Sequence, residues 1–178
     1  LLLTVSRFHP EKRLRTLFKA VGIINQTRPV ALVVFGAGYM SNSLKALAED
    51  TPGIRLAGYT KDREELAQVY ASADLMLHGS AAETFGLGVA EAICSGLPVI
   101  GPTVGGAADL VSEGCGLLYA PGKEKECAAQ ALVALNRSHK SWQRSLNARA
   151  KRINTVDQHF EQLFEQYASL LDSKRTSN

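Results

Sequence analysis

Residues 78–106 read His78-Gly-Ser-Ala-Ala-Glu83-Thr-Phe85-Gly86-Leu87-Gly-Val-Ala-Glu91-Ala-Ile-Cys-Ser-Gly-Leu-Pro-Val-Ile-Gly-Pro-Thr-Val-Gly105-Gly106. The apolar run Asp74 to Leu77 enters this stretch and a second, Pro98 to Gly101, leaves it. Both are short, bounded by glycine, and read as strands buried on two faces. Between them residues 86–95 are long enough for a helix, and the glycine-containing turn before it is bracketed by Glu83 and Glu91. A strand, a turn, a helix and a second strand at this spacing form a βαβ unit.

The same alternation runs outward in both directions. Leu2 to Ser6, Val30 to Phe35, Ile54 to Ala57 and Gly116 to Tyr119 read as further strands, with helices expected near 11–26, 41–49, 62–72, 105–113 and 123–137. The pattern predicts an α/β fold, a doubly wound parallel sheet of about six strands covered on both faces, with right-handed crossovers. Extra helices follow. Trp142, Leu146, Ala150 and Ile153 fall at helical spacing opposite Lys140 and Arg144, and Phe160, Leu163, Phe164, Tyr167, Leu170 and Leu171 form a second stripe. The expected division is a sheet domain over 1–150 and a helical extension with a frayed tail over 151–178.

Bulk properties narrow the functional classes. The chain has 178 residues, enough for one sizeable core, and an apolar fraction of 46%. A net charge of +3 with pI near 8.8 is too mild for a nucleic-acid binder. No apolar run approaches the roughly 18 residues of a membrane span, and no secretory signal pattern is present. Cys94, Cys115 and Cys127 are odd in number and form no Cys-x-x-Cys, which suits reduced thiols and a cytoplasmic location and argues against a disulfide frame or a zinc site. Between Arg137 and Val156 there are six basic residues and no acidic one, a face that is either solvated or laid against an anionic membrane surface. The chain starts on a strand-like Leu-Leu-Leu-Thr-Val without Met, and is expected to be part of something longer.

In an open parallel sheet, ligands bind outside the carboxyl ends of the strands, and the unusual residues collect there. Arg7 and Lys12 follow the first strand, Gly36-Ala37-Gly38 the second, Gly58-Tyr59-Thr60 the third and His78 to Glu83 the fourth. Unpaired N–H groups of Phe85, Gly86 and Leu87 at a helix start suit a phosphate, and Glu91, four residues after Leu87, shares its face. A carboxylate there accepts from the cis-diol of a ribose, and Glu83 from hydroxyls of a second sugar. Two acids beside a diphosphate need cations, for which Arg7 and Lys12 are available. An anion next to a polyol describes a sugar nucleotide. No Asp-x-Asp and no cluster of His with carboxylates suggests a metal. Gly36-x-Gly38 follows the second strand and has Ser41 where a third glycine belongs, which disfavours a dinucleotide cofactor. His78 is read as a substrate-orienting residue or a satisfied structural one, and Ser80 and Cys94 have no visible base partner.

Over about residues 1–137 the chain resembles the C-terminal, donor-binding domain of retaining family 4 glycosyltransferases of the GT-B class, a Rossmann-like half of a two-domain fold. Glu83 and Glu91, with seven residues between them, and the following Gly96-Leu97-Pro98-Val99 are similar to that family's E-x7-E motif and the turn after it. The resemblance implies transfer of a hexose from a UDP- or GDP-sugar with retention of configuration, needing no cofactor. Arg7, Lys12 and Glu83 would be catalytic. Gly36, Gly38, Gly58, Tyr59, Phe85, Gly86, Leu87 and Glu91 would bind the donor, with the backbone of Arg55 to Tyr59 reading the base. It also implies a separate N-terminal, acceptor-binding domain, without which this half is inactive. Ser6 and Arg13 depart from glycines of the pattern, and Gly105-Gly106-Ala107-Ala108-Asp109 departs from Gly-Gly-x-Pro-Glu. A non-catalytic nucleotide- or sugar-binding module and a GT-B sugar-nucleotide epimerase are the competing readings.

Overall fold

A computed structural model describes residues 1–111, 114–154, 157–158, 160–161 and 163–167. The strands are β1 (Leu2–Val5), β2 (Leu32–Phe35), β3 (Ile54–Gly58), β4 (Leu75–Leu77), β5 (Val99–Pro102) and β6 (Gly116–Tyr119). They form a single six-stranded sheet of order β3-β2-β1-β4-β5-β6, every pair parallel. The helices are α1 (Leu14–Ile24), α2 (Ser41–Glu49), α3 (Arg63–Ser72), α4 (Leu87–Cys94), α5 (Gly106–Val111), α6 (Glu124–Leu135) and α7 (His139–Ala150).

Packing places α1, α2 and α6 together on one face and α3, α4, α5 and α7 on the other. This is the doubly wound arrangement the alternating runs predict, and strand order reverses between β1 and β4. Central strand β4 is apolar throughout: Leu75, Met76 and Leu77 are all buried, as two covered faces require. Edge strand β3 is only partly buried and tolerates Arg55. On α1, Leu14, Leu17, Phe18, Val21 and Ile24 make one buried stripe. Cys127, Ala128, Ala131 and Ala134 give α6 a small-residue face against α1.

The first helix differs from its expected 11–26 span. Pro10–Lys12 form a 3-10 turn, and Arg13 stands at φ 50°, the left-handed region that breaks the helix before Leu14. After the sheet, Trp142 and Leu146 bury α7 against α4, while Lys140 and Arg144 face solvent. Arg137, one of the basic residues of this region, lies over the Trp142 ring at 4.8 Å. Described residues between 157 and 167 are helical, with Phe160 and Phe164 stacked at 6.3 Å. Leu170, Leu171 and the tail lie outside the described residues. No helix among them is long and apolar enough to cross a membrane.

Candidate functional site

The site begins where β1 and β4 part. They pair only at Leu2 with Leu75 and Leu3 with Met76. Beyond that the Thr4 hydroxyl donates to the Leu77 carbonyl at 2.8 Å, tying the strands as they diverge. The first turn of α4 covers the gap. A Cβ on Gly88 would lie 3.5 Å from both the Val5 carbonyl and the Tyr70 hydroxyl. A crevice of about 730 Å³ opens here, lined in part by Arg7, Gly36, Gly38, Tyr59, Leu87 and Glu91.

The helix start is built as the turn chemistry demands. Gly86 caps α4 at φ 88°, and Val89 and Ala90 both donate to its carbonyl at 2.9 and 3.0 Å. The amides of Gly86, Leu87 and Gly88 have no backbone partner among the described residues. They carry the positive end of the helix dipole. The Phe85 amide, one residue before the cap, likewise has no backbone partner, so the open set runs from Phe85 to Gly88 among the described residues.

Glu91 is held from behind. The buried Tyr70 hydroxyl, at the end of α3, donates to Glu91 Oε2 at 3.0 Å. Burial, then the charge of Glu91 and this hydrogen bond, raise the tyrosine pKa far above its usual value, so it stays a donor. Tyr70 was not legible as a site residue. It sits in the apolar stripe Leu66, Val69, Tyr70, and its only signal is that a buried phenol needs a polar partner.

Lys12 and Glu83 do not line the crevice wall; they form an ion pair beside it. A chain of contacts connects the two places. Arg7 Nη2 lies 3.4 Å from Glu11 Oε1, and Glu11 Oε1 lies 3.8 Å from Lys12 Nζ, which contacts Glu83. Arg7 is largely exposed at 80%, whereas Lys12 and Glu83 side chains are 10% and 20% exposed. The two cations therefore differ: Arg7 is exposed and only loosely held by Glu11, whereas Lys12 is nearly buried and holds Glu83. Glu11, which bridges them, carried no role in the sequence reading.

His78 ends β4 behind Glu83. It is buried, its carbonyl accepts from the Tyr119 hydroxyl at 3.0 Å, and its Nε2 stands 3.9 Å from Glu83 Oε1. Burial, reinforced by the Lys12 charge and opposed by Glu83 and a hydrogen bond to the Ser80 backbone, lowers its pKa to about 4. The ring is neutral at physiological pH.

The glycines of the second loop have a reason other than ligand approach. A Cβ on Gly36 would fall 1.9 Å from the Ser6 carbonyl, and one on Gly38 2.8 Å from that of Phe8, so they let the loops after β1 and β2 lie backbone to backbone. Gly58 lines an adjoining groove with Phe8, Lys45 and Arg55, not the crevice that Tyr59 lines. Its carbonyl accepts from Gly36 N–H at 2.7 Å. Among the described residues no three His, Cys, Asp or Glu side chains are grouped to hold a metal ion.

A six-stranded parallel sheet with acids, cations and an open helix start gathered at its strand-order reversal defines a doubly wound α/β protein with a crevice at its switch point. Residues 1–137 match the family model described as glycosyl transferases group 1, and the chain belongs to that family. It is 31% identical to the sulfoquinovosyl transferase SQD2 of Arabidopsis thaliana over 140 residues, 76% of this chain and 26% of that protein. It is 40% identical to a GDP-mannose-dependent alpha-mannosyltransferase of Corynebacterium glutamicum over 85 residues, 48% of this chain and 20% of that one. The chain thus spans about a quarter and a fifth of these relatives. Among solved structures, pneumococcal O-GlcNAc transferase GtfA in complex with UDP and GlcNAc superposes with TM-score 0.77 at 26% identity, covering 97% of this chain and 35% of that one. Anabaena Alr3699/HepE in complex with UDP-glucose shares the fold, with TM-score 0.80 at 23% identity over 94% of this chain and 48% of that one.

Proposed function

We propose that this chain is the donor-binding half of a retaining hexosyltransferase, which seats a nucleoside-diphosphate sugar in the crevice between β1 and β4. The observation that carries the reading is the convergence there of Arg7, Glu91 and the start of α4, with the Lys12–Glu83 pair linked to them through Glu11. In this reading the diphosphate lies against the Gly86–Gly88 amides and Arg7, and draws Lys12 away from Glu83. Glu91, oriented by Tyr70, takes the ribose diol through its other oxygen. Glu83, relieved of Lys12, accepts from the transferred sugar.

As the glycosidic bond breaks, negative charge grows on the departing diphosphate. Arg7, Lys12 and the α4 dipole stabilise that charge more in the transition state than in the ground state. These cations supply what a divalent metal would, so the reading needs no cofactor. Acceptor recognition falls to an N-terminal domain outside these residues, and the donor half alone transfers nothing. The site of action proposed is the cytosol, where three free thiols are stable. The exposed basic side of α7 is a candidate contact with the cytosolic membrane face.

Thermal denaturation against UDP, GDP and their sugars tests binding. At a hundredfold excess over Kd, a bound nucleotide adds about 2.7 kcal/mol, or roughly 5–10 °C for a domain this size. Nucleotide release by the two-domain enzyme only when acceptor is added separates a transferase from a passive binder and from an epimerase, which needs no acceptor. An axial product linkage from an axial donor, read from the anomeric proton coupling, tests retention. No thermal shift with either nucleotide overturns the reading.

A further inference from the structure

His78 is a buried polar residue that the nucleotide-sugar reading leaves without a task. Its Nε2 is fully buried and has no hydrogen-bond partner among the described residues, an expense that native interiors rarely carry without a purpose. The other side of the ring is occupied. The ring also meets the Ser80 backbone, and because Nε2 is the nitrogen left without a partner, that contact falls to Nδ1. The neutral ring then carries its one proton on Nδ1, and Nε2 presents only a lone pair.

That lone pair stands 3.9 Å from Glu83 Oε1. Two acceptors face one another across a distance too long for a hydrogen bond and too short to be indifferent. Lys12 Nζ holds that same Oε1 in the free protein but makes no hydrogen bond to His78, so the oxygen becomes available to a ligand once a diphosphate draws Lys12 away. A ligand suited to this gap offers two O–H donors on neighbouring atoms. A phosphate has none at neutral pH and would be repelled by Glu83. A vicinal diol of a pyranose fits, and the location agrees: the pair lies at the carboxyl end of β4, beside the strand-order reversal.

We infer that His78 is a sugar-recognising residue, its Nε2 accepting a hydrogen bond from the donor-sugar hydroxyl adjacent to the one that Glu83 accepts. The inference rests on the nucleotide-sugar reading and adds a second acceptor to it. It makes His78 a discriminator between sugars, because a site built around a buried acceptor rejects an analogue lacking the hydroxyl.

Calorimetric titration of wild type, His78→Phe and His78→Gln with UDP, GDP, UDP-glucose, UDP-N-acetylglucosamine and GDP-mannose tests it. Phe keeps the ring volume and removes the acceptor, whereas the Gln carbonyl reaches the Nε2 position. The expected result is an unchanged Kd for the bare nucleotide in all three proteins. For the preferred nucleotide sugar, His78→Phe should bind about tenfold more weakly, with most of the loss recovered in His78→Gln. In wild type the 15N resonance of His78 Nε2 should move upfield when the nucleotide sugar binds and stay in place with the bare nucleotide. Equal weakening of nucleotide and nucleotide sugar would make His78 a packing residue and overturn the inference, as would a sugar affinity indifferent to the substitution. Wild type that binds neither UDP nor GDP would overturn the nucleotide-sugar reading itself, and the inference with it.

Discussion

Lys12 faces two claims on its charge. In the free protein it pairs with Glu83 and lies 3.8 Å from Glu11; in the proposed complex it turns to a diphosphate. Stability and turnover can therefore be separated. Lys12→Met leaves Glu83 mostly buried without its cation, and should cost about 1–3 kcal/mol in urea unfolding, less than a fully buried pair would. Lys12→Met with Glu83→Gln removes both charges and should regain most of that stability. Turnover of the two-domain enzyme should fall about 10²-fold or more in both. A double variant recovering stability and turnover together would make Lys12 structural. His78 gives the residue scale a pH signature. Its pKa is near 6.5 in the unfolded chain and about 4 when folded, so between those values only the unfolded chain holds the proton. The contribution is complete above pH 6.5 and is lost as pH falls toward 4, of order 3 kcal/mol. Wild type should lose stability over that window more steeply than His78→Phe in denaturant titrations at each pH. Parallel profiles would contradict the buried neutral ring.

At the scale of elements, strands and helices were legible because periodicity and length decide them: β6 falls on its expected residues and α2 spans 41–49 as read. What escaped was loop chemistry. The Pro10–Lys12 turn and the left-handed Arg13 depend on how the loop docks against the β4 exit, where a Cβ on Gly79 would meet the Lys12 carbonyl at 2.5 Å. No local pattern reports that contact. Gly36 and Gly38 were read as bringing backbone toward a ligand, and the crevice does reach them, yet their lack of a side chain is demanded by Ser6 and Phe8. Gly36→Ala should accordingly destabilise the protein by more than about 1 kcal/mol, seen as a lowered melting temperature without ligand. An unchanged melting temperature would mean the two loops separate freely. Gly106 behaves likewise: its Cβ would fall 2.1 Å from the Thr84 carbonyl, so α5 locks the loop that carries Glu83.

At the scale of the whole molecule, the parallel sheet brings residues far apart in sequence to one rim. Arg7, Tyr59 and Glu91 follow or precede different strands, and only the order β3-β2-β1-β4-β5-β6 makes them neighbours. The sequence carried the motif around Glu83 and Glu91 and the presence of cations near the first strand. It did not carry Tyr70 behind Glu91, a contact made by packing α3 against α4, nor Glu11 between Arg7 and Lys12, a local contact set by the loop conformation of residues 7–12, which periodicity does not report. The central claim is that a nucleoside diphosphate rests on the open amides of α4 at the point where strand order reverses. Amide-resolved NMR titration of the protein with UDP and GDP tests it most directly. The account predicts that the resonances of Gly86, Leu87 and Gly88 move in a saturable way with one of the two nucleotides, while Arg28 and Asn136 on the opposite rim stay still. Saturable shifts confined to that opposite rim, with the α4 amides unmoved, would contradict it.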